Sequence, residues 1–309
     1  MATNAVTGLH HITCIAGDAQ QNLDFYTHRL GMRLVKKSVN QDSPDTYHLF
    51  YADGAGSPGT DLTFFPWPAS GPGRKGTGLA VEVALAIPRG SLAFWQDRLT
   101  DIAAAPVTRF GEQALPFADP DGLDLVLVET ADAREFSPWA EGPVPAEHQI
   151  RGLHGARLWE RNIDVTGTFL VDGMGMRKIG VEEGWHRYSA GSAASGRYVE
   201  LREIPDGARG RWGTGIVHHV AWRVPDDESE LATRMRVHNA GATPTEVIDR
   251  FWFHSVYFKE PGGVLFELAT DGPGFAVDED PGHLGERLVL PPWLERHRQE
   301  IEAGLPPLK

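Results

Sequence analysis

The sequence Gly-Leu-His-His-Ile-Thr at residues 8–13 decides the fold, because segments of the same kind recur three times along the chain. Each begins with a glycine and continues as a short run that suits a strand. The starting glycines are 70, 74 and 63 residues apart, which indicates a repeated supersecondary unit. The three further segments lie at 78–83, 152–157 and 215–220.

Each start is followed by a predicted helix and then by about three strands. The helices begin at matched places, namely at Asp18, at Pro88 and Ser91, at Asp164, and at Asp226. Two similar turns, at 119–122 and 260–263, precede closing strands. The repeats predict an α+β fold of four βαβββ modules, which form two cup-shaped mixed sheets with the helices outside.

The module bounds predict a division of the chain into two halves. The modules are expected at about 8–66, 78–130, 152–204 and 215–270. A stretch rich in Pro and small residues at 131–147 is the best linker, so we divide the chain into 1–135 and 136–309. The C-terminal half ends in a Pro- and Gly-rich tail with a short helix at 293–303, and the role of this tail stays open.

The composition restricts the class of protein. Of the 309 residues, 41% are hydrophobic and 23% charged, as in a soluble globular protein. The net charge of −13 argues against nucleic-acid and membrane partners, and the single cysteine, Cys14, excludes an internal disulfide framework. No basic and apolar leader opens the sequence, and no apolar run approaches the roughly 20 residues that span a bilayer. We therefore expect a soluble, cytoplasmic protein; a homo-oligomer is compatible with the sequence.

Side-chain alternation along a strand selects one histidine from each His-His pair. When the second and fourth modules are aligned, Glu82 is equivalent to His219 and Val81 is equivalent to His218. Because Val81 belongs to an apolar face that must pack on the helix, Glu82 and His219 face the concave side, and His218 points away from it. Matching the two His-His pairs makes His11 the equivalent of His219.

The closing strand of the fourth module supplies an acid by the same reasoning. Glu267 lies between Phe266 and Leu268, which form the core face, so its carboxylate is concave. Two imidazoles and one carboxylate are the donors of non-haem Fe(II) sites that keep open positions. We therefore predict that His11, His219 and Glu267 bind a metal ion, which requires the first and last modules to share one cup.

These features together resemble the vicinal oxygen chelate superfamily, which includes glyoxalases, extradiol dioxygenases and bleomycin-resistance proteins. More narrowly, the chain resembles the ring-cleaving dioxygenases that open hydroquinones, over essentially its whole length. The resemblance implies that Fe(II), with Mn(II) and Zn(II) as alternatives, acts on a small aromatic diol and O2. The stretches that carry it are GLHHIT at 8–13, HHVAW at 218–222, the run 249–257, and GVLFELATDGPGF at 263–275.

The resemblance also implies second-sphere residues that transfer protons and stabilise an oxyanion: His10, His218, Arg250 and Tyr257. A structural interpretation competes with each of them. Arg250 can simply pair with Asp249, Tyr257 can be an ordinary sheet residue, and the two histidines face the metal side only if a β-bulge turns them. Nearby His254 is assigned a structural role.

Glyoxalase-type isomerases or lyases, and non-enzymatic binding proteins of the same superfamily, are the alternatives. Such isomerases close their metal site with a second acid, but the turn alignment puts Phe64 in that slot of the first module. An apolar residue there favours a dioxygenase; para- and ortho-diols both stay open as substrates. The second cup would contain Glu82 and Glu200, with Gly155 and Val126 in the remaining slots and no histidine, so we interpret it as structural.

Overall fold

One strand, one helix and three strands follow each other in every module, as the repeats predict. The computed structural model describes residues 5–131, 134, 136–191 and 196–309. The strands are β1 (Gly8–Ala16), β2 (Arg33–Asn40), β3 (Ser43–Ala52), β4 (Asp61–Pro66), β5 (Leu79–Pro88), β6 (Val107–Arg109), β7 (Glu112–Ala118), β8 (Asp124–Thr130), β9 (Leu153–Glu160), β10 (Arg177–Glu182), β11 (Trp185–Ser189), β12 (Tyr198–Glu203), β13 (Ile216–Val224), β14 (Ile248–Asp249), β15 (Phe253–Lys259) and β16 (Leu265–Pro273).

These strands form two curled mixed sheets of eight strands each. The first has the order β14-β15-β16-β13-β1-β4-β3-β2 and combines the first and fourth modules; the second has the order β10-β11-β12-β9-β5-β8-β7-β6. In both, the two opening strands pair antiparallel at the centre, β1 with β13 and β5 with β9. The predicted fold class is therefore confirmed, and the distant ends of the chain share one sheet.

Short helices cover the outer faces: α1 (Ala19–Asp24), α2 (Leu92–Arg98), α3 (Ile163–Asp172), α4 (Asp227–Asn239) and α5 (Arg298–Gly304). The side chains of Asp18, Asn162 and Asp226 accept hydrogen bonds from first-turn amides and cap α1, α3 and α4. The tail helix starts later than predicted, because a 3-10 turn at Glu295–His297 precedes it. No helix in the described part of the chain is long and apolar enough to cross a membrane.

Close contacts between the two sheets explain two of the glycines that open the modules, Gly152 and Gly215. Gly152 has a φ of 105°, and a Cβ atom there would lie 2.8 Å from the carbonyl oxygen of Gly59. Gly215 has a φ of 77°, and its Cβ would lie 2.2 Å from the carbonyl oxygen of Asp121. Only glycine combines a left-handed backbone with so close an approach, so the strands that follow Gly152 and Gly215 each pack against a turn of another module.

A β-bulge falls on the first histidine of each His-His pair. Between β1 and β13 the register steps over His10 on one strand and over His218 on the other. The second sheet has the same irregularities, at Val81 on β5 and His154 on β9. A bulged residue leaves the strict alternation of its strand, which is why parity alone does not determine where His10 and His218 point.

The C-terminal tail is anchored to β2 and supports one wall of the first cup. Lys36 is fully buried, and its Nζ forms ion pairs with Asp278 at 2.8 Å and with Glu279. Asp278 also accepts a hydrogen bond of 3.1 Å from the indole nitrogen of Trp252. The tail thereby holds the indole of Trp252 in place from behind.

The proposed division of the chain after residue 135 stays a prediction. Residue 135 itself lies outside the described residues. Each sheet joins one module from before that point with one from after it, so the two cups, rather than the two halves, organise the sites described below.

Candidate metal centre and active site

His11, His219 and Glu267 meet at the base of the first cup. The Nε2 atoms of the two histidines are 3.2 Å apart, and Glu267 Oε2 lies 3.0 Å from His219 Nε2 and 3.3 Å from His11 Nε2. All three side chains are buried. The adjacent positions of β1, β13 and β16 in the sheet bring these residues together, although 208 positions separate the two histidines in the chain.

The chemistry of this cluster fits a divalent cation. Glu267 Oε1 accepts a hydrogen bond of 2.6 Å from Ser255, whereas its buried Oε2 receives no well-aligned donor from the described residues. Burial lowers the pKa of His219. Burial opposes ionisation of Glu267, but His11 and His219 outweigh it and hold the pKa of that carboxyl well below its usual range. A buried carboxylate oxygen among imidazole nitrogens needs a compensating positive charge, which a bound metal ion supplies.

The outer histidine of each pair lies within hydrogen-bond distance of the inner one. His10 Nδ1 lies 2.8 Å from His11 Nδ1, and His218 Nδ1 lies 2.8 Å from His219 Nδ1. Burial lowers the pKa of both His10 and His218 to about 3, so these rings are neutral. A neutral outer ring that accepts a hydrogen bond from the inner Nδ1 leaves the inner Nε2 with a free lone pair, as metal ligation requires.

Thr63, and not Phe64, occupies the slot that corresponds to Glu267. Thr13 on β1 and Ala221 on β13 are equivalent positions, because they follow His11 and His219 by two residues. In the sheet, Thr13 lies beside Thr63 on β4, and Ala221 lies beside Glu267 on β16. The alignment that placed Phe64 in this slot is therefore wrong by one residue; Phe64 is fully buried in the core on the opposite face of the sheet. The consequence drawn from it holds, because threonine supplies no second carboxylate.

A cavity of about 460 Å³ opens above the histidine and glutamate cluster, a size that suits a single aromatic ring with substituents. Aromatic side chains form much of its wall: Phe50, Phe65, Trp67, Trp252 and Phe253. His218, Arg250 and Tyr257 also line it, as the resemblance implies, and the bulge explains why His218 faces it against the parity expectation. His10 lies behind His11 and outside this lining, which suits a positioning role.

Arg250 and Tyr257 form a polar edge of the cavity. The Tyr257 ring lies 5.8 Å from that of His219, and the Arg250 guanidinium lies 5.3 Å from the Tyr257 ring centre. Arg250 forms a two-pronged ion pair with Asp42, at 2.9 and 3.2 Å, and not with Asp249. Burial, and then the Glu267 carboxylate, raises the pKa of Tyr257, so its hydroxyl is protonated and available as a hydrogen-bond donor.

His48 belongs to the site and was missed by the sequence reasoning. It lines the cavity, its ring packs on Phe50 and Phe65, and its Nε2 lies 2.9 Å from the Thr63 hydroxyl. Burial lowers the pKa of His48 well below its usual range, so the ring is neutral. A lone histidine in a strand carries no sequence signal of its own; only alternation with Phe50 on β3 places it on the concave face.

The second cup, interpreted from the sequence as structural, is filled by ion pairs. Glu82 pairs with Arg157 at 3.5 Å and with Arg109 at 2.5 Å, and Glu200 pairs with Arg157 at 2.7 Å and with Arg187 at 2.6 Å. A histidine is present after all, because the bulge on β9 turns His154 into this cup, beside Glu112. The arginines occupy the interior, so this cup leaves a cavity of only about 20 Å³.

Paired βαβββ modules around a His2Glu cluster place this chain in the class of vicinal oxygen chelate proteins. A model of the glyoxalase/bleomycin resistance protein/dioxygenase superfamily matches residues 8–127. A crystal structure of a Bacillus subtilis dioxygenase superimposes with a TM-score of 0.94 at 42% identity, covering 99% of this chain and 98% of that one. Glyoxalase I of Zea mays shares the fold at 18% identity, with a TM-score of 0.64 over 85% of this chain and 92% of that one.

Curated relatives narrow the family further. MhqO of Bacillus subtilis, named as a ring-cleaving dioxygenase, is 43% identical over 98% of this chain and 96% of its own length. The chlorohydroquinone/hydroquinone 1,2-dioxygenase of Sphingobium indicum is 33% identical over 96% of this chain and 95% of its own. The chain therefore belongs to the ring-cleaving dioxygenases of the glyoxalase/bleomycin resistance protein/dioxygenase superfamily, and the predicted enzyme class is confirmed.

Proposed function

We propose that this enzyme uses Fe(II), bound by His11, His219 and Glu267, to open the ring of a hydroquinone with O2. The observation that carries the proposal is the buried His2Glu cluster, whose fourth slot holds Thr63 and no second acid. The relative from Sphingobium indicum, named for its action on chlorohydroquinone and hydroquinone, supports the substrate class. Both oxygen atoms of O2 enter the product, an unsaturated ring-opened acid.

The side chains around the cavity divide the remaining work. When bound, Fe(II) supplies open coordination positions for the diol and O2. The aromatic walls exclude water and hold a flat ring, while Glu267 is kept in one orientation by Ser255. Tyr257 donates a hydrogen bond to an oxygen of the diol, and the Arg250 cation stabilises negative charge that develops there.

The reaction proposed here needs only two small molecules as partners, the diol and O2. The location proposed for it is the cytoplasm, with which a single free and fully buried cysteine, Cys14, is compatible. The negative net charge disfavours nucleic acid and anionic membranes as further partners.

The test of this function is oxygen uptake by the iron-loaded enzyme. The protein is purified without oxygen, its iron, manganese and zinc are quantified, and O2 consumption is then followed with hydroquinone, chlorohydroquinone and catechol. We expect stoichiometric uptake with the two hydroquinones. Stoichiometric zinc together with no uptake on any of the three phenols would overturn the proposal.

Replacing Tyr257 by phenylalanine is expected to lower kcat by about a hundredfold, the usual effect of losing one donor to a developing oxyanion. The metal content is expected to stay unchanged, because Tyr257 lies beside the His2Glu cluster without belonging to it. Tyr47→Phe is the matched control, since the Tyr47 hydroxyl binds the carbonyl oxygen of Pro306 outside the cavity. Equal kcat values for the two variants would contradict the assigned role.

Replacing Thr63 by glutamate is expected to remove one of the open metal positions that the diol and O2 need. The new carboxylate would stand in the slot related to Glu267 and act as a fourth protein ligand, so the metal is retained while O2 consumption falls by at least about a hundredfold. Thr63→Ser, which keeps the hydroxyl that contacts His48, is the control. Full dioxygenase activity in Thr63→Glu would show that the slot does not face the metal.

A further inference from the structure

A buried glutamate outside the first cup accepts no hydrogen bond from the described residues. Glu230, on α4, is fully buried, and neither of its carboxylate oxygens has a hydrogen-bond partner among the described residues. Burial raises its pKa to about 7, which expresses the same lack of a compensating charge. An isolated buried carboxylate is destabilising unless a cation or a hydrogen-bond donor compensates it.

The first module shows how this position is satisfied when it is structural. Asn22 on α1 and Glu230 on α4 occupy equivalent positions in their helices. The backbone N–H of each donates to the carbonyl oxygen of the capping aspartate four residues earlier. Asn22 accepts a hydrogen bond of 2.9 Å from the Tyr51 hydroxyl. The sheet register makes Phe258 the counterpart of Tyr51, and phenylalanine has no hydroxyl to offer. The fourth module therefore has a carboxylate where the first has a neutral, satisfied amide.

Two further ligand side chains face Glu230. Asp227 precedes it by one helical turn, and His254 comes from β15; one ligand atom from each of the three residues lies within 4.8 Å of the others. His254 Nδ1 is 2.7 Å from Asp227 Oδ1. Asp227 is exposed and His254 half-buried, so an ion can enter from solvent and still reach the buried carboxylate.

From this arrangement we infer a second metal site, in which Asp227, Glu230 and His254 bind a divalent transition ion of the Zn²⁺ type. Two carboxylates, one imidazole and a water complete the tetrahedral set that zinc accepts. The positive end of α4 does not oppose the ion strongly, because the Asp226 carboxylate already caps it through the amide of Ser229 at 2.8 Å. An ion here would fasten α4 to β15, the strand that carries Ser255 and Tyr257.

The test is calorimetric titration of the metal-free full-length protein with ZnCl2. We expect two tight zinc equivalents for the wild type and one for Glu230→Gln, an isosteric change in which the second equivalent binds more weakly by about tenfold or more. Glu267→Gln impairs the first site, so this variant is expected to bind one zinc equivalent at the second site. The double variant Glu267→Gln with Glu230→Gln is expected to lose that equivalent as well. Glu228→Gln, an exposed acid on the same helical turn, is the control and keeps both. His254→Gln serves in place of Glu230→Gln should the latter not fold.

The outcomes separate this inference from the proposed function. One equivalent in the wild type that disappears in Glu267→Gln but persists in both Glu230→Gln and His254→Gln overturns the second site and leaves the first intact. Zinc uptake that depends only on Glu230 and His254 supports the second site and contradicts the proposed catalytic metal. An anomalous zinc peak among Asp227, Glu230 and His254 in crystals soaked with ZnCl2 is the direct confirmation.

Discussion

Replacing Glu267 by glutamine is expected to remove the bound metal and lower ring cleavage by about a thousandfold or more, since the several kcal/mol that a metal centre contributes are lost with it. Glutamine keeps the shape of the side chain but removes the charge that His11 and His219 stabilise in the folded protein. The carboxylate is fully buried, so no solvent-exposed acid can replace it. Metal analysis and O2 uptake on the same protein sample measure both effects.

The matched control is Glu200→Gln in the second cup. In the strand register, Glu200 lies opposite Arg157 of β9, just as Glu267 lies opposite Ala221 of β13. The two acids therefore occupy equivalent positions in the two sheets. Because arginines and not a metal compensate Glu200, its substitution is expected to leave iron content and kcat unchanged. If Glu267→Gln retained its full iron content after gel filtration, the ligand assignment would be wrong.

Replacing Arg187 by methionine is expected to lower the free energy of unfolding by about 3–5 kcal/mol, the usual effect of removing one partner from a buried ion-pair network. Arg187 forms ion pairs with Glu112 at 2.7 Å and with Glu200 at 2.6 Å, and it is buried in the second cup. The loss of its charge leaves two carboxylates without their shared cation. Urea unfolding followed by tryptophan fluorescence measures the change.

Two further variants show whether uncompensated charge is the cause. Adding Glu112→Gln to Arg187→Met is expected to recover part of the lost stability, because one orphaned charge is then removed. Arg202→Met, on the neighbouring strand but exposed, is the control and should change stability by no more than about 0.5 kcal/mol. A loss below 1 kcal/mol in Arg187→Met would mean that the network contributes little to folding.

The repeats contain enough information to predict the architecture. Starting glycines that tolerate left-handed φ angles, such as Gly215, and capping aspartates, such as Asp18 and Asp226, depend on local backbone geometry, which a sequence records directly. Alternation along a regular strand likewise predicts that Glu267 is concave, because no bulge interrupts β16 beside it. Residues in regular strands therefore lie where parity places them.

Strand alternation gives the wrong face for a side chain where a β-bulge interrupts the strand register. It also fails where the turns of two modules are aligned one residue out of step. His218 lines the cavity because a bulge turns it, and His154 enters the second cup for the same reason. Thr63, and not Phe64, takes the slot related to Glu267; it follows Gly59 by four residues, as Glu267 follows Gly263. A one-residue shift moves a side chain to the opposite face of the sheet, so small errors of register change the assigned site.

The sequence alone determined the repeated unit, the class of fold and the three residues proposed to bind the metal, because each follows from local pattern and strand alternation. Only the tertiary structure decided which distant groups meet: Arg250 with Asp42, His48 with Thr63, and the arginines with the acids of the second cup. Arg250 and Asp42 are 208 positions apart, in hairpins of different modules. Such contacts arise from the way sheets curl and modules pair, which no periodicity within a single module encodes.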